Sequence, residues 1–263
     1  MAPDVARHVH VLNFNDLDAV EQTFQKHPIA CLISEPILQN VGIVKPLPGY
    51  WEGVRELCDR YGVVWVMDEV KTGFRHALGW YQEIAGLRPD LSVFGKAIAN
   101  GYPLGAIGGR ADIMDQFDAS DPAQRVLIAG TYNGHPLVMA AAIATMQKLQ
   151  NHGVGIYQKL EALGAQMEAG LTGLFRRAGV TATVVRQGSA FCVYFMDHAP
   201  TDWPDIAEHH DMAKELRYRR ALIEKGIYYF PLPTEQGSIS AAHTEEDVDS
   251  FLGVTKSLLD TGF

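Results

Sequence analysis

The sequence has 263 residues, 47% apolar and 20% charged, an ordinary globular composition with enough chain to bury a sizeable core. A formal net charge of -9 argues against nonspecific binding to nucleic acid or anionic membranes, which needs a basic surface. No apolar run of about 18 residues occurs. Met1-Ala-Pro-Asp lacks the charged and apolar regions of a signal peptide, and a cytoplasmic location is expected. Cys31, Cys58 and Cys192 are odd in number, lack C-x-x-C spacing and stand in apolar patterns, so they are expected reduced and buried.

In chain order, His8 and His10 alternate like strand residues and read as satisfied or solvated histidines. Ala30-Cys-Leu-Ile-Ser-Glu35-Pro36 and Val63-Val-Trp-Val-Met-Asp68-Glu69-Val70 share one grammar, an apolar strand that ends in a carboxylate. Between them Pro48 to Gly62 reads as a helix, with Tyr50, Val54 and Leu57 along one face and Gly62 as its stop. The unit is therefore βαβ. Leu91 to Phe94 makes a third short strand, so Glu35, Asp68 and Lys96 each fall at the carboxyl end of a strand. Open α/β sheets bind ligands at that edge.

Pro136 to Gln150 reads as a long helix and Asn151-His-Gly-Val-Gly155 as its break. Residues 1–150 are accordingly expected to form one domain and 151–263 a smaller α+β domain. The second opens with a helix from about Ile156 to Ala178, carrying Leu160, Leu163, Met167, Leu171 and Leu174 at helical spacing. Alternating strands follow at Val180 to Val185 and Ala190 to Phe195. Asp211 to Gly226 reads as a basic amphipathic helix, Ile227 to Phe230 as a short strand, and Thr244 with Asp247 as a capping box for the last helix. His209 and His210 beside Asp211 do not share a helix face and have no third ligand at sensible spacing, so they are read as surface residues and no metal site is expected.

Lys96 stands after a buried-strand pattern and among small residues and glycines, where a ligand can approach. Most lysines are solvated. A nucleophilic one needs an apolar pocket or a nearby cation to bring its amine down from about 10.4. A lysine with an aspartate at the same sheet edge is what pyridoxal phosphate (PLP) chemistry uses. The amine holds the coenzyme as a Schiff base and moves protons, and the carboxylate keeps the pyridine nitrogen protonated.

Five ordered segments carry a resemblance: Glu35-Pro-Ile-Leu-Gln-Asn40-Val-Gly42, Met67-Asp-Glu-Val-Lys-Thr-Gly-Phe-Arg75, Pro89-Asp-Leu-Ser-Val-Phe-Gly-Lys96, Gly130-Thr-Tyr-Asn-Gly-His-Pro-Leu137 and Ser240-Ala-Ala-His-Thr-Glu-Glu-Asp247. In order and spacing the chain resembles the class III, fold-type I PLP-dependent aminotransferases, and among them the glutamate-1-semialdehyde 2,1-aminomutase-like branch. The resemblance implies an α/β fold, with a mainly parallel sheet in a partial large domain and a C-terminal α+β small domain. It implies that Lys96 is the Schiff-base lysine, Asp68 the partner of the pyridinium nitrogen, and Val70 an apolar plate against one ring face. Thr131 is implied to contact the coenzyme phosphate across a homodimer interface, and Glu35 and Asn40 to border the ring. Two plainer readings stay open, Glu35 as the partner of a nearby base and Val70 as core.

The family's Gly- and Ser-rich phosphate turn lies upstream of its Glu-Pro segment, and no such turn occurs among the residues before Glu35. The chain thus resembles the family's C-terminal part, and either self-association or a complementary N-terminal segment is expected. Lys71 and His135 depart from the residues common at their positions; Lys71 is either solvated or a source of positive potential. Phe230-Pro-Leu-Pro-Thr-Glu235-Gln-Gly-Ser-Ile-Ser240 carries no arginine to grip a substrate carboxylate, and offers Glu235 instead. The expected function is amino-group transfer between a small amino donor and a carbonyl acceptor, as an aminotransferase or an aminomutase. The alternative is a catalytically silent fragment that serves as a dimerising or binding module.

Overall fold

The computed structural model describes residues 3–263. Met1 and Ala2, which begin the segment bearing on a signal peptide, lie outside the described residues. In chain order the elements are α1 (Pro3–Ala6), α2 (Leu17–Lys26), β1 (Cys31–Ser34), α3 (Tyr50–Tyr61), β2 (Val64–Asp68), α4 (Trp80–Ala85), β3 (Leu91–Phe94), β4 (Ala106–Gly109), α5 (Ala111–Met114), α6 (Pro136–Arg177), β5 (Thr183–Gln187), β6 (Ala190–Tyr194), α7 (Trp203–His209), α8 (Met212–Glu224), β7 (Gly237–Ser238) and α9 (Glu245–Thr261). They form two compact units that interleave in sequence: Ile29–Pro36 with Arg55–Val154, and Ile37–Val54 with Gly155–Phe263 and the segment ending at Pro28. No helix of the described residues is long and apolar enough to cross a membrane.

The first unit is built on a four-stranded sheet of order β1-β2-β3-β4, with β1, β2 and β3 parallel and β4 antiparallel to β3. Its pairing rests on Asp90, just before β3. The Asp90 carboxylate accepts the Trp65 N–H at 2.7 Å, Arg110 at 2.8 Å and Arg55 of α3 at 3.1 Å, tying two neighbouring strands to a crossover helix. Burial alone would push this carboxyl up; the hydrogen bonds from Arg110, the Trp65 N–H and Arg55 hold it below its ordinary value. Gly109 pairs opposite Leu91, and a Cβ there would strike the Asp90 carbonyl oxygen, so only glycine lets β4 close on β3. Cys58 is buried as expected, but Cys31 is exposed, because β1 ends the strand order and half of its residues, Cys31 and Ile33, face away from cover.

In the second unit the three-stranded antiparallel sheet of order β5-β6-β7 puts β6 in the middle. Every residue of β6 is buried, where the sequence reads as alternating, because both faces of a central strand are covered. On one face Phe191 and Val193, with Phe195 just beyond the strand, join Leu163, Leu171 and Phe175 of α6, Tyr218 of α8 and Phe251 of α9 in the core. On the other face Tyr194 pins the segment after Pro36: its hydroxyl donates to the Val41 carbonyl at 2.8 Å and accepts the Ile43 N–H at 2.6 Å. A side chain at Gly42, whose φ is +88°, would overlap that ring, so the motif's glycine marks a close approach as well as a turn.

Further expectations change. α6 runs unbroken for 42 residues through Asn151–Gly155; each helical glycine costs about 1 kcal/mol, which flanking turns of Ala, Leu and Met outweigh. Ile227 to Phe230 is not a strand. Its backbone is held instead by buried Arg219 of α8, which donates to the Phe230 carbonyl at 2.8 Å and, through the same guanidinium, to Glu215 and the Glu235 carbonyl. His210 is buried rather than on the surface: its Nδ1 accepts the Phe195 N–H at 3.0 Å and its Nε2 lies 2.7 Å from Glu215 Oε2. His8 and His10 lie outside any strand and are exposed. The Thr244–Asp247 capping box opens α9 as read, with Asp247 accepting the Thr244 N–H at 2.8 Å.

Replacing Asp90 with Asn removes one acceptor charge from three donors, so a loss of about 1 to 3 kcal/mol at neutral pH is expected in urea unfolding. A folded pKa below the unfolded one means that the stabilisation is complete above about 3.9 and is lost on acidification through the lower folded value. The gap between wild type and Asp90→Asn should therefore close as pH falls below that point. A gap that is independent of pH would show that the carboxylate charge is not what holds the strands.

Candidate active site

The parallel register sets the site. Asp68, the last residue of β2, pairs with Val93 of β3, and Ser34, the last of β1, pairs with Met67. Glu35, Asp68 and Lys96 therefore leave their strands at one edge of the same sheet, as the sequence reading requires.

Lys96 opens a short 3₁₀ turn, Lys96–Ala99, with φ +46°, and Asn100 closes it with φ +46°. For residues with a Cβ this left-handed conformation costs roughly 1 to 3 kcal/mol, and it persists only where surroundings enforce it. Lys96 is exposed in this chain, yet its amine is held below the ordinary 10.5. Partial burial is the first cause and the Lys71 cation the second; the carboxylates of Asp68 and Glu35 pull the other way, and Arg75 adds to the lowering. The charges that reach Lys96 thus come from the residue just after β1, from the end of β2 and from the segment after β2.

Asp68 is half-buried, and its Oδ1 accepts the Val70 N–H at 2.9 Å, which turns the chain sharply at the strand end. That turn sets Val70 against Gly95: a Cβ on Gly95 would sit 3.2 Å from Val70 Cγ1. The glycine before Lys96 is thus the space in which the Val70 side chain lies. Lys71 is buried, which decides between its two sequence readings in favour of a source of positive potential. Arg75 anchors the same turn through Nε to the Lys71 carbonyl at 2.9 Å.

Sequence reasoning passed over Glu69. This fully buried carboxylate accepts the Tyr81 N–H at 3.2 Å, the Gln82 N–H at 3.1 Å and the Gln82 side-chain amide at 3.2 Å, and also the Thr72 hydroxyl. Gln82 in turn donates to Ser92 of β3 at 2.9 Å. Glu69 thereby caps α4 and fastens the Asp68–Val70 turn to the strand that leads to Lys96. Trp80 packs its ring 4.4 Å from Phe94 and completes the tie. The one signal in the sequence was an acid beside an acid at a strand end.

Thr131 is exposed on the turn Gly130–Asn133. Asn40 is exposed in the other compact unit, on the turn between the bridged residues Leu38 and Val44.

An amine of lowered pKa beside a carboxylate and an apolar side chain at one sheet edge suits a coenzyme with an electrophilic aldehyde, a basic ring nitrogen and a flat apolar face. The sequence profile described as Aminotransferase class-III matches residues 5–233. The chain belongs to the class-III aminotransferase family. It is 41% identical over 251 residues to the glutamate-1-semialdehyde 2,1-aminomutase of Desulforudis audaxviator (strain MP104C), a match that covers 95% of this chain and 57% of that protein. The enzyme of the same name from Persephonella marina (strain DSM 14350 / EX-H1) is 39% identical, over 92% of this chain and 56% of the relative. Among solved structures, a glutamate-1-semialdehyde-aminomutase of Pseudomonas aeruginosa PAO1 in complex with PMP superposes with a TM-score of 0.88 at 27% identity, covering 99% of this chain and 59% of that one. An omega-transaminase of Sphaerobacter thermophilus gives 0.84 at 29% identity, over 94% and 56% of the two chains. The fold is that of the fold-type I PLP-dependent transferases, and this class-III chain spans a little more than half the length of the relatives it matches.

Because the Lys71 cation lowers the Lys96 pKa, Lys71→Met should move it back up toward 10.5. Asp68→Asn removes a charge that raises it and should move it down. The pH dependence of amine acylation at Lys96, followed by mass spectrometry, reads both. Shifts in the same direction for the two variants would overturn this electrostatic account.

Proposed function

We propose that this chain takes part in PLP-dependent amino-group transfer, with Lys96 as the residue that binds the coenzyme covalently. The observation that carries the reading is the convergence of Lys96, its amine lowered in pKa, with Asp68 and Val70 at the carboxyl edge of parallel strands. The relatives support it, since the Pseudomonas aeruginosa neighbour is in complex with PMP. When bound, the coenzyme supplies an electron sink for negative charge at the substrate carbon next to nitrogen.

The chain's own residues do the rest. Lys96 Nζ would hold the coenzyme covalently and, as a free amine, would take up and return the proton that moves during the transfer. Asp68 holds the ring nitrogen protonated, a charge-assisted contact worth about 1.5 to 3 kcal/mol. Val70 lies against one ring face and keeps water from it. Glu35 and Asn40 border the ring, and Thr131 meets the phosphate from a second subunit.

Residues 1–150 form the coenzyme-binding part in this reading, and 151–263 the small domain. The partner is a second copy of the chain or a complementary N-terminal segment. The reaction stands at amino-group transfer between small molecules, the class shared by aminomutases and transaminases; Glu235 disfavours a carboxylate that enters along the 230–240 segment. The alternative of a silent binding module finds no supporting observation, given a lysine kept in a costly left-handed conformation at this edge.

Incubation with PLP, borohydride reduction and peptide mapping should place the adduct on Lys96, and Lys96→Ala should abolish it. Asp68→Asn should still take up coenzyme, though more weakly, while the barrier rises by about 2 to 4 kcal/mol, roughly 30- to 1,000-fold in rate. Sedimentation of the same preparation, alone and with a complementary segment, reads the partner. An adduct on Lys71, or near-normal turnover of Asp68→Asn in an active assembly, would overturn the assignment.

A further inference from the structure

Away from the Lys96 edge, three side chains of the second compact unit converge on one point. His209 ends α7, one turn after Asp205 of the same helix, and the turn that precedes the helix brings His198 to the same carboxylate. Asp205 Oδ1 lies 2.9 Å from His198 Nε2 and 2.9 Å from His209 Nδ1, and the three ligand atoms all lie within 4.8 Å of one another. The sequence reading paired His209 with His210 and found no third ligand. Folding sends His210 into the core and supplies His198 in its place.

We propose that His198 Nε2, Asp205 Oδ1 and His209 Nδ1 form a binding site for a divalent borderline transition ion of the Zn²⁺ class. Two imidazole nitrogens and one carboxylate oxygen are the donors that such ions select, whereas Ca²⁺ and Mg²⁺ take all-oxygen sets. The spacing fits. An ion with ligands at about 2.0 to 2.1 Å in tetrahedral array separates them by roughly 3.3 to 3.5 Å. That value lies between the 2.9 Å contacts and the 4.8 Å limit of the present cluster, so side-chain rotation alone opens it.

The supporting shell is a second, independent observation. His198 Nδ1 is engaged by Asp197 Oδ1 at 2.7 Å, the carboxylate–histidine arrangement that orients the ring and leaves Nε2 for the ion. Asp205 Oδ2 accepts the Thr201 N–H at 2.9 Å and the Thr201 hydroxyl at 3.3 Å, which aims Oδ1 at the two imidazoles. The Asp205 N–H is itself capped by Asp202 at 2.8 Å, which fixes the start of the helix. His209 Nδ1 also lies 3.1 Å from the Asp205 carbonyl, a contact it gives up on turning to the ion. His198 and His209 are 42% and 47% exposed, so the ion enters directly from solvent and water fills its fourth position. Once bound, it would clamp the 197–202 turn to the end of α7.

Calorimetric titration of the metal-stripped full chain with Zn²⁺, and Co²⁺ titration read by visible absorbance, test the site. Wild type should show one saturable site that excess Mg²⁺ does not displace. His198→Ala and His209→Ala should each weaken it at least tenfold, and Asp197→Ala, which removes no ligand, tenfold to a hundredfold. Both histidines lie at the surface and are about half exposed, so circular dichroism should find these variants folded. Lys96→Ala should bind the ion as wild type does, which separates this site from the coenzyme reading. Absence of saturable binding, or wild-type affinity in both histidine variants, would overturn the proposal.

Discussion

The chemistry of this chain depends on three short strands that run in one direction. Parallel pairing of β1, β2 and β3 means that whatever follows each strand emerges at one edge. The sequence spends that geometry on an acid after β1, an acid at the end of β2 and a lysine just beyond β3. An antiparallel arrangement of the same strands would have put Asp68 and Lys96 at opposite ends of the sheet, about four residues or roughly 13 Å apart. The direction of β4, which does run antiparallel, matters less because it contributes no charge to Lys96.

Two buried carboxylates hold that sheet at its two ends. Asp90, before β3, gathers Trp65, Arg55 and Arg110 at the amino edge. Glu69, after β2, gathers Thr72, Tyr81 and Gln82 at the carboxyl edge. A buried charge left without donors is costly, and both are saturated with them. The consequence for the site is rigidity. The turn that carries Asp68 and Val70 has its donors and acceptors assigned, so it can hold Lys96's neighbours in place against a strained backbone.

Strand periodicity and the three strand-end residues were legible in the sequence because each is local: apolar runs, then a charge. The capping box of α9 and the stops at Gly62 and Gly226 were legible for the same reason, and both glycines take positive φ. What was not legible depends on partners distant in sequence. Arg219 reaches the carbonyls of Phe230 and Glu235, and that contact replaces the strand that Ile227 to Phe230 suggests. His210 reads as surface until Phe195 and Glu215 enclose it. Cys31 reads as core until the strand order leaves β1 at an edge. Glu69 was hidden by its neighbour, because nothing in an Asp-Glu pair tells which acid turns inward and which faces a ligand. The assignments of Asn40 and Thr131 depend on the family resemblance and have no local signal of their own.

The lowered pKa of Lys96 combines two effects that respond differently to a bound group. The Coulombic part is fixed by Lys71, Arg75, Asp68 and Glu35, whose anchors lie in the strands and the turn after β2. The desolvation part is the largest, even though Lys96 is exposed in this chain. Any flat apolar group set against Val70 would remove water from the amine and enlarge that part, while leaving the four charges where they are. Such a group that also carried a positive charge toward Asp68 would neutralise the carboxylate that opposes the lowering. Both changes act in the same direction, so the amine becomes a better nucleophile and proton acceptor at neutral pH when the edge is covered than when it is open.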